Sequence, residues 1–140
     1  MFLVDSNVWI ESIQQRRLHD EADQFLRGIP GTLLALTQFS LFSVGISSAK
    51  KSADGYRRFI RDLDSGHVTL LALPSSDLIE LPEYMQRYHL DFDDAYQYVV
   101  ADRHDLQIVS VDPDFDRTPR GRVTPGQALE QYRRSQTTHP

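Results

Sequence analysis

The segment 90–116 constrains the fold more than any other part of this 140-residue chain. Its pattern predicts a helix that ends near His104, and the apolar, β-branched run 106–110 that follows is typical of a buried strand. So short a connection forces the helix and the strand to run antiparallel. About twelve helical residues span roughly 18 Å, and about five or six strand residues span nearly the same length. Asp94, in the first helical turn, is therefore expected beside Asp112, which follows the strand.

Two carboxylates held together at the edge of a sheet repel each other and cost stability unless a cation is bound there. Each acid taken alone also has an ordinary structural explanation. Asp91 and Asp94 suit the first turn of a helix, where the helix dipole favours negative charge, and Asp112 before a proline suits a turn. The placement of several acids at strand ends and at a helix start favours a cation site over these separate explanations.

The rest of the chain alternates short apolar strands with amphipathic helices. Further strands are predicted at 2–5, 32–36 and 67–73, and 122–123 is a candidate for a short fifth strand. This alternation predicts a parallel sheet with helices on both faces, which is an α/β sandwich. We expect 1–134 to form a single domain and 135–140 to be a frayed tail.

Composition argues against several classes of protein. The chain has no cysteine, so it has neither a disulfide framework nor a thiolate metal site. No apolar run approaches the roughly twenty residues needed to cross a membrane, and the acidic N-terminus lacks the basic region of a signal peptide. A cytoplasmic protein without membrane contact is the expectation. The formal net charge of −5 argues mildly against a non-specific nucleic-acid coat, although bound divalent ions would offset it.

The acids at the strand ends are expected to converge. Ligands of parallel α/β sheets bind at the carboxyl ends of the strands, beside the point where the strand order reverses. Asp5 ends the first predicted strand and Asp112 follows the fourth. If these strands are neighbours, Asp5, Asp94 and Asp112 meet at one place. Carboxylate oxygens suit Mg²⁺ or Mn²⁺, and such an ion activates water and stabilises charge on a phosphodiester.

Three short motifs resemble those of the PIN-domain nucleases, the family that includes the VapC-type toxins. In chain order they are Val-Asp-Ser-Asn at 4–7, Asp-Ala at 94–95 and Ser-Val-Asp-Pro-Asp-Phe at 110–115. Their order and spacing match that family over nearly the whole chain. The resemblance implies a three-layer α/β/α sandwich with a five-stranded parallel sheet of order 3-2-1-4-5. It also implies a metal-dependent ribonuclease.

The resemblance further implies a role for each matching residue. Asp5, Asp94 and Asp112 would be the catalytic metal ligands, and Asp114 an auxiliary acid at the metal. Asn7 and Ser110 would support the acidic site.

One position departs from the pattern of the family. PIN domains normally carry a glutamate on the helix after the second strand, and the alignment of 37–44 places Ser43 there. Serine is a poor, neutral ligand, so the metal site loses a charge. Asp91, Asp93 or Asp114 could compensate; otherwise the protein binds metal weakly or is a nuclease-like scaffold. The segment also resembles a PIN subgroup that lacks this glutamate.

Three arginines, Arg117, Arg120 and Arg122, follow directly on the acidic loop, where they are placed to hold a phosphate backbone beside the metal. The predicted function is that of a divalent-metal-dependent endoribonuclease. A more specific form of this prediction is the toxin of a toxin–antitoxin pair. The expected partners are RNA, an antitoxin protein and a second copy of the chain in a homodimer. The alternative is a non-catalytic PIN-like module that binds RNA or protein.

Overall fold

Four short runs of apolar residues form the parallel sheet at the centre of the molecule. The computed structural model describes residues 1–137. The strands are β1 (Phe2–Val4), β2 (Leu34–Thr37), β3 (Thr69–Leu71) and β4 (Gln107–Val109). The α-helices are α1 (Ser6–Ile13), α2 (His19–Gly28), α3 (Gln38–Ser48), α4 (Ala53–Ser65), α5 (Leu81–Tyr88), α6 (Phe92–His104) and α7 (Pro125–Thr137). Short 3-10 helices lie at Gly31–Leu33, Ser75–Glu80 and Pro113–Arg117.

The strand order is β3-β2-β1-β4, and all the pairs are parallel. Leu3 of β1 pairs with Ala35 of β2 on one side and with Ile108 of β4 on the other. This confirms the predicted order over four strands. The predicted fifth strand is reduced to one parallel bridge between Val123 and Val109. Pro125 already begins α7 two residues later, so no length of chain remains for a longer strand.

Alternate residues of the sheet face two separate hydrophobic cores. Val4, Leu36 and Val109 belong to one core, and Leu3, Ala35 and Ile108 belong to the other. The first core is completed by side chains of α1, α2, α3, α4 and α7, and the second by side chains of α5 and α6 together with Phe115. Helices therefore cover both faces of the sheet, which confirms the three-layer α/β/α sandwich.

The connection between α6 and β4 is as short as the sequence predicts. Asp105 ends α6 in the left-handed conformation at φ 51°. The backbone N–H of Leu106 then bonds to the carbonyl of Ala101 at 2.9 Å, and β4 begins at the next residue. Since α6 and β4 run antiparallel, the start of α6 lies at the same edge of the sheet as the end of β4.

The last helix extends into the segment 135–140 that was expected to be frayed. Thr124 and Gln127 cap its start with reciprocal hydrogen bonds from each backbone N–H to the other side chain. Helix α7 then runs to Thr137, so it includes 135–137, which the sequence analysis assigns to the frayed tail; 138–140 lie outside the described residues. Within 1–137, no helix is long and apolar enough to cross a membrane.

Candidate metal centre and active site

The candidate site is built where three chain segments leave the sheet. Asp5 follows β1, and its backbone N–H bonds to the carbonyl of Val109 at 2.9 Å. Asp94 lies in the first turn of α6. Asp112 follows β4 and caps the 3-10 helix Pro113–Arg117, because its Oδ1 accepts the N–H of Asp114 at 2.9 Å. The carboxyl edge of the sheet thus carries acids from three different elements.

Three of these acids share one small space. One carboxylate oxygen from each of Asp94, Asp112 and Asp114 lies within 4.8 Å of the other two. Asp94 also belongs to a second such group, with Asp91 and Asp93, both of which are exposed. Asp5 does not enter either group. Of the predicted ligands, the structure therefore brings Asp94, Asp112 and Asp114 together, and places Asp5 beside them.

Asp5 is held by hydrogen bonds from three directions. Its Oδ1 accepts the N–H of Ser6 at 2.8 Å and the Nε2 of Gln97 at 3.1 Å, while its Oδ2 accepts the hydroxyl of Ser110 at 2.8 Å. The side chain is only 6% exposed. Burial raises the pKa of the Asp5 carboxyl more than these hydrogen bonds lower it, so the pKa is raised. The orientation of this carboxylate is therefore fixed.

Asp94 is the most perturbed acid of the site. It is 6% exposed, and burial is the largest cause of a pKa that is raised to about 8. The remaining causes are the negative charges of Asp93, Asp5, Asp112 and Asp114. Among the described residues, the basic side chains form ion pairs with other acids, and Asp5, Asp94 and Asp112 form none. At neutral pH the Asp94 carboxyl of the metal-free protein is therefore largely protonated.

The two predicted supporting residues join the ends of β1 and β4. The hydroxyl of Ser110, which donates to Asp5, accepts hydrogen bonds from Asn7 Nδ2 at 3.1 Å and from the N–H of Asp112 at 2.9 Å. Asn7 Oδ1 in turn accepts the N–H of Val111 at 3.3 Å. Ser110 is fully buried, so this network fixes Asp5 relative to the loop that carries Asp112.

One further residue of the site, Gln97, was missed by sequence reasoning. Gln97 is 2% exposed and lies one turn after Asp94 on α6, and its Nε2 donates both to Asp5 and to the hydroxyl of Ser40 on α3. A polar residue three positions after a site acid, on the same helical face, was the available signal. The partners themselves are distant in sequence, which is why local pattern gave no indication of them.

Ser43, which stands where the family places a glutamate, is half-buried on α3, one turn after Ser40. Its neighbours along the helix face different surroundings. Ser40 contacts the Asp5 network through Gln97, whereas Ser47 accepts a hydrogen bond from Gln14, at the end of α1. The small polar side chains of α3 therefore run from the acid site to the packing contact with α1.

The three predicted RNA-binding arginines lie in different places. Arg117 Nη2 is 3.6 Å from Asp114 and donates to the carbonyl of His89. Arg122 pairs with Asp116 and donates to the carbonyl of Ser110 at 3.0 Å.

Arg120 lies away from the acids. It pairs with Asp102 at 2.8 Å and with Asp105 at 3.0 Å, at the far end of α6. Asp102 is eight positions after Asp94, which is about 12 Å along a helix. Of the three arginines, only Arg117 forms an ion pair with an acid of the site.

A parallel sheet of order 3-2-1-4 with aspartates at its carboxyl edge defines the class of the protein. The model of the PIN domain family matches residues 2–121. The chain therefore belongs to the PIN domain family. No curated protein matches it.

Solved structures with the same fold cover nearly the whole chain. A protein of a toxin–antitoxin complex from Klebsiella pneumoniae is 28% identical, with a TM-score of 0.70, over 89% of this chain and 98% of that one. PAE2754 from Pyrobaculum aerophilum is 19% identical, with a TM-score of 0.67, over 95% of each chain. FitAcB from Neisseria gonorrhoeae is 15% identical, with a TM-score of 0.57, over 93% of this chain and 94% of that one. The last two similarities concern the fold alone.

Proposed function

We propose that the protein is a divalent-metal-dependent endoribonuclease that hydrolyses RNA phosphodiesters. One observation carries the proposal: the carboxylates of Asp94, Asp112 and Asp114 lie within 4.8 Å of one another, and the buried Asp94 has no cationic partner among the described residues. So concentrated a negative charge opposes folding unless a cation neutralises it.

The donor set fits Mg²⁺ or Mn²⁺. All the donors are carboxylate oxygens, which these ions prefer, and two of the three acids are only half-buried, so water can complete an octahedral shell. We propose Asp94, Asp112 and Asp114 as the residues that hold the ion, with Asp5 beside them. When bound, such an ion supplies an activated water and stabilises the charge that develops on the phosphodiester.

The chain's own residues prepare the site for this chemistry. Asp5 is kept in one orientation by Ser6, Ser110 and Gln97. The Asp94 carboxyl, whose pKa is about 8 in the absence of an ion, would have to release its proton to hold a cation. Arg117, next to Asp114, is the arginine placed to contact a phosphate of the RNA backbone.

We also propose that the protein acts in the cytoplasm as the toxin of a toxin–antitoxin pair. The similar Klebsiella protein comes from a toxin–antitoxin complex and aligns over nearly its full length. This similarity supports an antitoxin protein as a partner.

A homodimer is the proposed assembly. Phe42 and Ile46 lie one turn apart on α3 and are 58% and 87% exposed, and Phe92, which is 46% exposed, packs on Phe39 of the same helix. Apolar side chains exposed together in this way mark a protein contact. Light scattering on the wild type and on Ile46→Glu tests this assembly, because the charged variant should be monomeric. A wild type that is itself monomeric at all concentrations would contradict the proposal.

The experiment that tests the proposed activity is cleavage of single-stranded RNA by the purified protein with Mn²⁺ or Mg²⁺. Activity should stop on addition of EDTA and should be absent from Asp112→Asn. The second candidate is a non-catalytic module that binds RNA or protein, and Ser43 in place of an acid favours it. RNA that is bound but left intact by metal-loaded protein would support that second candidate.

A further inference from the structure

We propose that Gln97 is a positioning residue that fixes the Asp5 carboxylate relative to the metal-binding acids; the inference rests on the proposed metal site. Gln97 and Asp94 lie one turn apart on α6, so the backbone of one helix fixes them relative to each other. The Gln97 Nε2 donates to Asp5 Oδ1 at 3.1 Å. The amide therefore connects the acid that follows β1 to the helix that carries Asp94.

The Gln97 amide also contacts a third element of the fold. Its Nε2 donates to the hydroxyl of Ser40, which is 1% exposed on α3. This hydrogen bond limits the movement of the Gln97 amide. One side chain thus joins β1, α3 and α6 at the point where their ends meet.

The carbonyl oxygen of the Gln97 amide, which has no hydrogen-bond partner among the described residues, indicates that this side chain does more than fill space. Gln97 Oε1 is buried and has no hydrogen-bond partner among the described residues. A buried polar atom without a partner costs stability, so an apolar side chain of the same length would serve better for packing alone. The gain that offsets this cost is the hydrogen bond to Asp5. That bond favours the charged form of Asp5 and fixes its direction.

Nothing else on α6 or α3 performs this task. Ser6, the first residue of α1, and Ser110, which follows β4, are the other donors to Asp5, and neither of them connects Asp5 to a helix that carries a metal-binding acid. Without Gln97, Asp5 would keep its place in the sheet but would lose its connection to Asp94. A site that depends on the separation of these two acids should then bind a cation less well.

The test measures Mn²⁺ affinity by electron paramagnetic resonance and calorimetry, together with the melting temperature. Gln97→Met keeps the length of the side chain and removes its donor. We expect it to weaken Mn²⁺ binding about tenfold. Gln107→Met makes the same chemical change at an exposed position at the start of β4 and should leave binding unchanged. If Gln97→Met fails to fold, Gln97→Asn withdraws the amide by one methylene and should show the same loss.

A double-mutant cycle with Asp5→Asn separates positioning from a general structural role. If Gln97 acts through Asp5, its substitution should have little further effect on Mn²⁺ affinity in the Asp5→Asn protein, where Asp94, Asp112 and Asp114 still form a group of ligands. An equal loss in both backgrounds would overturn the proposal. So would unchanged Mn²⁺ affinity in Gln97→Met when the wild type binds Mn²⁺ and cleaves RNA. A wild type that binds no Mn²⁺ would instead overturn the proposed metal site itself.

Discussion

Acids cluster at both ends of helix α6, but the two clusters differ in how many of their acids form ion pairs. At the C-terminal end, Arg120 pairs with Asp102 and Asp105, and Arg103 pairs with Asp77 and Glu80. At the N-terminal end, Asp93 and Asp94 face the acids that follow β1 and β4, and Arg117 near Asp114 is the one arginine paired there among the described residues.

Among the described residues, the two ends therefore differ in which acids have a counter-charge within the chain. The acids of the C-terminal end are exposed or partly exposed and are neutralised within the chain, so a bound ion has little to gain there. At the N-terminal end Asp94 is buried, and its burial, together with the negative charges of the neighbouring acids, raises the pKa of its carboxyl to about 8. An acid site is recognised by its missing counter-charges more than by the number of its acids.

The largest effect is expected from substitution of Asp94. Asp94→Asn removes one of the three clustered ligands, so Mn²⁺ binding measured by calorimetry should be lost. At a pH above about 8, where the Asp94 carboxyl is ionised, the melting temperature of the metal-free protein should rise, because the substitution removes a buried charge that the other acids repel. Asp102→Asn, at the other end of the same helix, is the matched control and should bind Mn²⁺ like the wild type. Unchanged affinity in Asp94→Asn would remove the distinction between the two ends.

A second expected effect is a fall in the stability of the metal-free protein as the pH rises. Asp94 has a pKa of about 8 when folded and an ordinary value of 3.8 when unfolded. Between these values the folded state binds more protons than the unfolded state. The contribution of Asp94 to the free energy of unfolding is therefore greatest below about pH 4 and is lost as the pH rises through 8. Chemical denaturation in EDTA across this range measures the slope. Asp94→Asn should flatten it, and an equally steep slope in that variant would assign it to other groups.

A third prediction concerns the position at which the family carries a glutamate. Ser43→Glu adds a hard anionic ligand one turn from Ser40, which contacts the Asp5 network. Mn²⁺ affinity should rise by about tenfold, or about 1.4 kcal/mol. Ser47→Glu, next to Gln14 at the end of α1, is the matched control and should give no gain. A folded Ser43→Glu protein with wild-type affinity would show that this position does not face the ion.

The smallest effect is expected at the arginines, and it compares the two ends of α6 directly. Arg117→Ala should weaken RNA binding by a few fold and reduce the dependence of log K on log salt by about one contact. Arg120→Ala, at the other end, should leave the salt dependence unchanged because its guanidinium is already paired with Asp102 and Asp105. Fluorescence anisotropy with a labelled RNA measures both. Equal salt slopes for wild type and Arg117→Ala would make Arg117 an ordinary surface charge.

The parts of this molecule that followed from the sequence are those fixed by short connections. The two-residue link between α6 and β4 determined that Asp94 and Asp112 meet, and the alternation of strands and helices determined the sheet. The fifth strand did not follow, since two residues of favourable composition before a proline do not show whether a ladder or a single bridge forms.

Side-chain partners over long sequence distances were the parts that could not be predicted. Arg120 follows the acidic loop in sequence, yet the loop turns it towards the far end of α6. Gln97 reaches an acid that precedes it by 92 positions, and no local pattern indicates that contact. Local sequence patterns therefore predicted where the backbone of the site lies, whereas the side-chain contacts depend on residues that only the folded structure brings together.

The capping of α1 by Asp5 affects how an inactive form of this protein should be made for laboratory use. The Asp5 Oδ1 bond to the N–H of Ser6 holds the start of that helix, and loss of such a cap costs about 1 kcal/mol. An Asp5→Ala protein would therefore combine lost chemistry with a weakened scaffold, and its low yield or poor partner binding could be mistaken for a property of the active site. Asp94 makes no capping bond, since α6 is preceded by Asp91 at its cap position. To obtain a protein that lacks the proposed activity but keeps its fold, Asp94→Asn is the cleaner choice.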